Sequence, residues 1–225
     1  MNWLSANNTG SIIMDVAAIF LLAGMMIHTK LYRKRGRLGD KLYFAMLVVV
    51  MIAAVFDAMN FFLEESPFSF RGGLILAGDT VFSMAYEIFP ILYILYLTYL
   101  RHKDNNKVAK NWKILCIPAA LAVLIVIGNL FGGYLFYIDE AGAYQYGAAY
   151  DILHIIVAAY LLFILYELCF INVRFLLATI ILVAARVGLR FAVRGVSSTA
   201  FILALLLVYG HIQMMNNEFY EEERA

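Results

Sequence analysis

Seven long apolar stretches divide this chain and constrain its fold more than any other feature. They cover residues 12–28, 42–63, 74–100, 114–131, 148–170, 175–193 and 196–214. Each is close to the roughly 20 residues that a helix needs to cross a hydrocarbon layer of about 30 Å. The composition is far from that of a soluble domain, since 64% of the residues are hydrophobic and only 15% are charged. The sequence therefore predicts an all-α membrane protein, a bundle of seven transmembrane helices.

Positive charge is concentrated in alternate connections between these stretches. The first and third connections hold most of the basic residues: Lys30, Arg33, Lys34, Arg35, Arg37, Lys41, Arg101, Lys103, Lys107, Lys110 and Lys113. The connections on the other side hold only Arg71, Arg190 and Arg194. Because Lys and Arg are enriched in cytoplasmic loops, the N-terminus is predicted outside and the C-terminus in the cytoplasm. The predicted location is the inner (plasma) membrane, which the chain crosses several times.

The connection between the fourth and fifth stretches carries a hairpin pattern. Aromatic and β-branched residues flank the turn-like sequence Asp139-Glu140-Ala141-Gly142. This pattern predicts a small β-hairpin on the outer side, close to the membrane. The tyrosines of this connection fit an interfacial aromatic belt equally well.

The domain organisation is predicted to be simple. Residues 1–214 form one seven-helix transmembrane domain, and residues 215–225 begin a polar helix that enters the cytoplasm. The fifth and sixth stretches are separated only by about four residues, Ile171 to Arg174. We predict two helices there, because one helix over 148–193 would be about 69 Å long, too long for a single crossing.

Polar side chains inside the apolar stretches are the candidate functional residues, since ionisable groups in hydrocarbon are costly. Residues three or four apart share a helix face, and these candidates group in that way near the outer ends of their helices. The inner half is almost free of polar residues, apart from Glu167. The sequence thus predicts an outward-facing polar pocket above a sealed inner half. The predicted ligand-binding residues are Asp57, Asn60, Asp79, Ser83, Glu87, Asp151, His154, Arg186 and Arg190.

Other polar residues receive a simpler interpretation. Asp15, Asn129 and Arg194 lie near the ends of their stretches, where hydration or helix pairing accounts for them. Arg186 lies deeper and needs a partner, and at least one of Asp57, Asp79 and Glu87 is predicted to form a salt bridge with it, with Glu87 as the first choice. Pro90 is predicted to bend the third helix just below Glu87, which would widen the floor of the pocket.

Several protein classes are excluded or disfavoured. A retinal protein needs a lysine inside the bundle, and every lysine here lies in or beside an inner connection. The four histidines are scattered and no cysteine joins them, so no metal site is predicted. We find no nucleophile arrangement typical of hydrolases, and the module is predicted to be non-catalytic, without cofactor and without nucleic acid as partner. The two cysteines, Cys116 and Cys169, do not suggest an extracellular disulfide framework.

Three later stretches carry a family resemblance. They are the outer loop from Phe136 to Tyr144 with Gly147 and Tyr150, the aromatic and aliphatic fifth stretch, and the sequence from Tyr209 to Asn216. In these features the chain from about Ser83 onward resembles the N-terminal seven-helix sensor region of bacterial histidine kinases and GGDEF diguanylate cyclases. The resemblance implies an output domain after the seventh helix.

The predicted function combines these observations. We expect a transmembrane sensory or receptor module that binds a small extracellular molecule in the polar pocket and signals through helix seven to a cytoplasmic effector domain of the same protein. Its other partners would be the lipid bilayer and, in a homodimer, a second copy. The alternative is a small transporter or channel that uses the same polar residues. The bare inner half disfavours it, because a transport path needs polar lining on both sides. A purely structural protein is a third possibility.

Overall fold

Helices account for almost all of the chain in the computed structural model, which describes residues 3–32, 38–64, 70–138, 144–171, 176–184 and 199–222. The only sheet in these residues has two short strands. In chain order the elements are α1 (Trp3–Tyr32), α2 (Leu38–Glu64), α3 (Arg71–His102), α4 (Asn105–Gly132), β1 (Phe136–Ile138), β2 (Tyr144–Tyr146), α5 (Tyr150–Ile171), α6 (176–184) and α7 (Thr199–Glu222).

Five of these helices are long and apolar enough to cross a membrane, which indicates a multi-pass membrane protein. Their candidate spans match the first five apolar stretches of the sequence and are Gly10–Leu31, Leu38–Leu63, Arg71–His102, Asn105–Gly132 and Tyr150–Ile171. Large apolar side chains lie exposed on their surfaces, among them Phe20, Ile117 and Leu162. Such a surface suits contact with lipid. The all-α architecture is confirmed, whereas the number of seven spans and the orientation stay predictions.

The described parts of the last two helices are shorter. α6 covers residues 176–184, and the apolar part of α7 is Thr199–Gly210. α5 ends at Ile171, where the sequence predicted the fifth helix to end, and residues 172–175 of the connection to α6 lie outside the described part. Residues 185–198 lie outside it as well.

Helix α3 is the centre of the bundle. It packs against α2, α4 and α5, while α1 and α7 pack against α2 and against each other. Its second half is buried from Phe89 to Thr98 except for the half-buried Leu92, because side chains there face neighbours on several sides. Tyr93, Ile94 and Leu97 are almost completely buried in the main apolar core.

The turn between α3 and α4 is short and capped on both sides. Lys103 takes the left-handed conformation, with φ 49°, and its N–H donates to the Tyr99 carbonyl, which ends α3. The Asp104 side chain then accepts a hydrogen bond of 2.8 Å from the Asn106 N–H and begins α4. We call the end of the bundle that contains this turn the loop end.

The opposite end contains the β-hairpin between α4 and α5, which confirms the hairpin prediction, and we call it the hairpin end. β1 and β2 pair antiparallel, with Phe136 opposite Tyr146 and Ile138 opposite Tyr144. The predicted turn residues 139–143 lie outside the described part. Gly147 follows β2, where a Cβ atom would collide with the Tyr134 carbonyl, so the chain needs glycine there.

Asn129 connects this hairpin to α4. It is buried, its Nδ2 donates to the Phe136 carbonyl at 2.9 Å, and its Oδ1 accepts from the Leu135 N–H at 2.7 Å. Gly133 ends the helix with φ 63° and donates to the Asn129 carbonyl. Asn129 is thus buried and bonded to the hairpin, where the sequence predicted hydration or helix pairing, and its contacts fix the hairpin against the bundle.

Candidate functional site

Four polar side chains of α1, α2 and α3 come together near the hairpin end. Asp57 and Asn60 lie one turn apart on α2 and are both buried. The Asn60 Nδ2 donates a hydrogen bond of 2.7 Å to Oδ1 of Asp79 on α3. Asp15 of α1 lies next to Asp57, close enough for the two carboxyl groups to interact electrostatically. We refer to Asp15, Asp57, Asn60 and Asp79 as the polar cluster.

A glycine on α3 permits the contact between α2 and α3. A Cβ atom at Gly78 would overlap Oδ1 of Asn60, so only glycine lets this amide approach the α3 backbone. Gly78 directly precedes Asp79, the hydrogen-bond partner of the same amide. The adjacent residues Gly78 and Asp79 of α3 therefore together determine where the Asn60 side chain lies.

Asp15 is the residue of this cluster that sequence reasoning did not include among the candidates. Its side chain is 0% exposed, and neither carboxyl oxygen has a hydrogen-bond partner among the described residues. Hydration therefore does not account for Asp15, whereas the other interpretation, helix pairing, stays a prediction. The burial of Asp15 could have been predicted from helical spacing. Ser11, Asp15, Ala18 and Leu22 are three or four residues apart, which places all four on one buried face of α1.

Glu87 lies two turns further along α3, deeper than the polar cluster. It too is 0% exposed, and both of its oxygens lack a hydrogen-bond partner in the described part of the chain. It interacts electrostatically with Tyr160 of α5, whose hydroxyl donates to the Leu115 carbonyl at 2.8 Å. Ser83, between Asp79 and Glu87, is half-buried. Pro90 follows within α3 and removes one backbone donor there.

The described part of the chain does not place the remaining predicted site residues at the polar cluster. Asp151 is exposed in the first turn of α5, a helix that packs mainly on α3. The side chain of His154 lies outside the described part. Arg186 and Arg190 also lie outside it, so the predicted salt bridge between Arg186 and Glu87 stays a prediction.

Asp15, Asp57 and Asn60 are buried between helices, and Asp79 is half-buried. One described groove, of about 450 Å³, is apolar and lies on the outer face of α1 and α2, and none of the polar cluster lines it. Its lining residues are Val16, Ile19, Val55, Ala58, Met59, Phe62 and Leu63. This groove therefore gives no access to the polar cluster.

Below the polar residues, large side chains fill the bundle toward the loop end. Tyr43, Tyr93 and Tyr96 are among the largest fully buried residues, and the rings of Tyr43 and Tyr96 lie 5.8 Å apart. The Tyr43 hydroxyl donates a hydrogen bond of 3.1 Å to the Leu207 carbonyl of α7. These buried side chains fill part of the half that the sequence predicted to be almost free of polar residues, and the Tyr43 hydrogen bond joins α2 to α7.

At the loop end, a pair of charged side chains joins α3 to α5. Arg101 of α3 and Glu167 of α5 form a salt bridge of 3.2 Å, and the Arg101 guanidinium lies 3.9 Å from the ring centre of Phe170. This arrangement combines a charge-assisted hydrogen bond with a cation–π contact. Nearby, the Asn111 amide donates to the Thr98 hydroxyl at 3.4 Å.

Comparison with known proteins does not identify a relative. No family model, no curated protein and no solved structure matches this chain.

Proposed function

We propose that this chain is a transmembrane sensory module that binds a small extracellular ligand near the hairpin end and signals through α7 to a cytoplasmic effector domain. One observation carries the proposal. Asp15 and Glu87 are completely buried, and their carboxyl oxygens have no hydrogen-bond partner among the described residues. Unsatisfied buried polar groups are rare in folded proteins, and ionisable groups inside a membrane are usually functional.

The topology of the proposal has seven spans, with the hairpin end outside and the loop end in the cytoplasm of a bacterial cell. The basic residues at the loop end support this orientation, among them Lys30, Lys41, Arg101 and Lys107. Cysteines introduced at Gly36 and Glu222 should resist a membrane-impermeant thiol reagent added outside, whereas one at Ala141 should react. A reactive cysteine at Glu222 would contradict the odd number of spans.

The ligand contacts would come from the polar side chains at the hairpin end. Asp57, Asn60, Asp79, Ser83 and Glu87 supply acceptor oxygens from two adjacent helices. The exposed Asp151, together with His154, Arg186 and Arg190, completes the set that the sequence predicts. A ligand that enters between the helices would have to separate the buried side chains of the cluster, so its binding would favour a second arrangement of α1, α2 and α3.

Signal transfer would use α2, because this helix contacts both the polar cluster and α7. Asp57 and Asn60 lie toward its hairpin end, and Tyr43 near its other end donates to the Leu207 carbonyl. A displacement of α2 would therefore act on α7, whose helix continues to Glu222. Helix shifts of about 1–2 Å are a common form of such transitions.

A soluble reporter effector fused after Ala225 in helical continuity tests the signalling role. Its activity should vary with the linker at the period of about 3.6 residues when single residues are inserted. Tyr43→Phe should change the basal activity, because it removes the hydrogen bond to α7. Tyr160→Phe is the matched control, since its hydroxyl bonds to α4 and not to α7.

Two results would count against the proposal. One is a flat response across about four single-residue insertions, a full helical turn. The other is an equal effect of the two tyrosine substitutions. A flat response together with ion flux in proteoliposomes would favour the transporter alternative, which the buried aromatic side chains of Tyr43, Tyr93 and Tyr96 disfavour.

A further inference from the structure

Helix α4 presents lysines and large apolar side chains on one exposed face. Lys110 and Ile114 are four residues apart, as are Lys113 and Ile117, and this spacing places each pair on the same side of the helix. Ile114 is 63% exposed and Ile117 is 72% exposed, and both lysines are exposed as well. The face therefore begins with lysines at the loop end and continues as apolar surface toward the hairpin end. We call it the α4 stripe, and its residues, all exposed, are Lys107, Lys110, Lys113, Ile114, Ile117, Leu121 and Leu124.

The contacts of α4 leave this stripe uncovered. α4 packs mainly against α3. At about 3.6 residues per turn, the buried positions of α4 lie on the side opposite to the stripe. They are Val108, Leu115, Ala119, Ala122 and Val126. The stripe consequently faces outward, where a membrane-spanning helix meets lipid.

Trp112 indicates the depth at which the stripe would meet the lipid headgroups. It is 48% exposed and lies within two residues of both Lys110 and Lys113. Tryptophan is enriched at the boundary between membrane and water. Lysines near such a boundary bury their methylene groups along apolar surface and keep the ammonium group among polar groups. The ammonium groups of the stripe would therefore lie at the level of the lipid phosphates.

The positive charge of the stripe is available to a ligand. Asp104, which precedes it by three residues, is engaged as the cap of α4. Nζ of Lys107 lies 3.2 Å from Nδ1 of His102, a contact that brings no negative charge. Lys107, Lys110 and Lys113 follow one another at intervals of three residues, and all are exposed. Three cationic groups thus stand together above an apolar surface.

We propose that the α4 stripe binds one anionic phospholipid of the phosphatidylglycerol type. Its phosphate would contact the lysines, and an acyl chain would lie along Ile114, Ile117 and Leu121. Leu124 lies about 15 Å from Ile114 along the helix, which is half of a hydrocarbon layer of about 30 Å and so the depth of one leaflet. Phosphatidylcholine has similar chains, but its quaternary ammonium group cancels the charge of its phosphate. This inference goes beyond the sensory role, because it requires only a chain that crosses a membrane.

Native mass spectrometry of the purified full chain with added lipid measures the preference. Phosphatidylglycerol should bind more tightly than phosphatidylcholine with the same acyl chains. Lys110→Gln should lower the association constant for phosphatidylglycerol roughly fivefold, which is what one lysine contributes near an anionic membrane surface. The association constant for phosphatidylcholine should not change. Lys41→Gln is the matched control, because it removes another exposed lysine of the loop end, on α2.

Fluorescence in vesicles then locates the bound lipid. Trp3→Phe leaves Trp112 as the single tryptophan of the chain. Phosphatidylglycerol brominated near the top of its acyl chains should quench Trp112 more than brominated phosphatidylcholine at the same mole fraction. This excess should disappear when the three lysines of the stripe are replaced by glutamine, and it should decrease at high salt. The control replaces Lys30, Arg33 and Lys34 by glutamine, which removes as many charges elsewhere and should preserve the excess.

Several outcomes would overturn the proposal. Equal association constants of the two lipids would show that the stripe does not select charge. Equal losses in Lys110→Gln and Lys41→Gln, or excess quenching that persists without the stripe lysines, would mean that the whole loop end attracts anionic lipid. Displacement by glycerol phosphate at equal concentration would assign the lysines to a soluble anion. A dimer that forms when lipid is removed, and that Ile117→Asn dissociates, would assign the stripe to a second copy of the chain.

Discussion

The polar groups of α1–α3 differ from those of α4, α5 and the hairpin. On α4 and α5 the described buried polar side chains have partners: Asn129 bonds to the hairpin, Tyr160 to Leu115, and Glu167 to Arg101. On α1–α3, Asp15 and Glu87 have no hydrogen-bond partner among the described residues, and Oδ1 of Asn60 has none either. Satisfied buried groups fix a structure, whereas unsatisfied ones favour rearrangement or binding.

The two sides of the bundle should differ in how easily they move. The side of the bundle with α4, α5 and the hairpin should behave as a rigid support, because moving it would break several buried hydrogen bonds. On the side with α1 and α2, a rearrangement breaks the hydrogen bond from Asn60 to Asp79 and part of the packing between α2 and α3, so a bound ligand has to repay this cost. A sensor needs such a division, since one part must hold still while the other responds.

The largest expected effect comes from Gly78, where α2 and α3 meet. Gly78→Leu should force Asn60 away from Asp79 and separate the helices, at a cost of about 3 kcal/mol, or a decrease in melting temperature of roughly 10 °C. Gly73→Leu on the same helix is the control, because a Cβ atom there meets nothing within 4 Å. Equal melting temperatures of the two variants would mean that α2 and α3 are not packed as closely as described.

The second-largest loss of stability is expected on the side of the bundle with α4, α5 and the hairpin. Asn129→Ala leaves the Leu135 N–H and the Phe136 carbonyl without their buried partner, which should cost about 2 kcal/mol. Hydrogen exchange should become faster at Leu135 and along β1. Asn111→Ala is the matched control, since Asn111 makes one long hydrogen bond to Thr98. Slow exchange of β1 in Asn129→Ala would show that the hairpin does not depend on this anchor.

The sequence predicted the helices better than the contacts between them. Length and hydropathy are local properties, so the first five long apolar helices and the hairpin were predicted correctly. Helical spacing also placed Asp57 and Asn60 on one face, and both are buried. The hydrogen bond from Asn60 to Asp79 and the proximity of Asp15 to Asp57 depend on how separate helices pack, which spacing within one helix does not determine.

The position of Asp15 along its helix was a misleading guide to its burial. It lies near the start of its apolar stretch, where a carboxylate normally reaches water. α1 places it instead on the same face as Ser11, Ala18 and Leu22, which are all completely buried. Burial thus follows from the face that a helix presents to its neighbours, and this face is known only when the neighbours are known.

A smaller effect is expected for the paired glutamate at the loop end. Glu167→Gln keeps the shape of the side chain but replaces its charge-assisted bond to Arg101 by a neutral one, which should cost about 1 kcal/mol because Arg101 is partly exposed. Arg101→Met should cost a similar amount, and the double variant should cost less than the sum. Additive effects in thermal unfolding would mean that the ion pair contributes nothing.

The smallest effect is expected for the change from glutamate to glutamine at Glu87, in the α1–α3 part of the bundle. Glu87→Gln removes a carboxyl group whose oxygens have no described hydrogen-bond partner, so an uncharged Glu87 loses no described contact and the change in stability should be roughly zero. Thermal unfolding of Glu87→Gln beside Glu167→Gln measures the contrast directly. A loss of about 3–5 kcal/mol would contradict it and support the salt bridge with Arg186, since removing one member of a buried pair leaves the other charge uncompensated. In that case adding Arg186→Ala to Glu87→Gln should recover much of the loss, and Glu87 would belong with the paired residues rather than with Asp15.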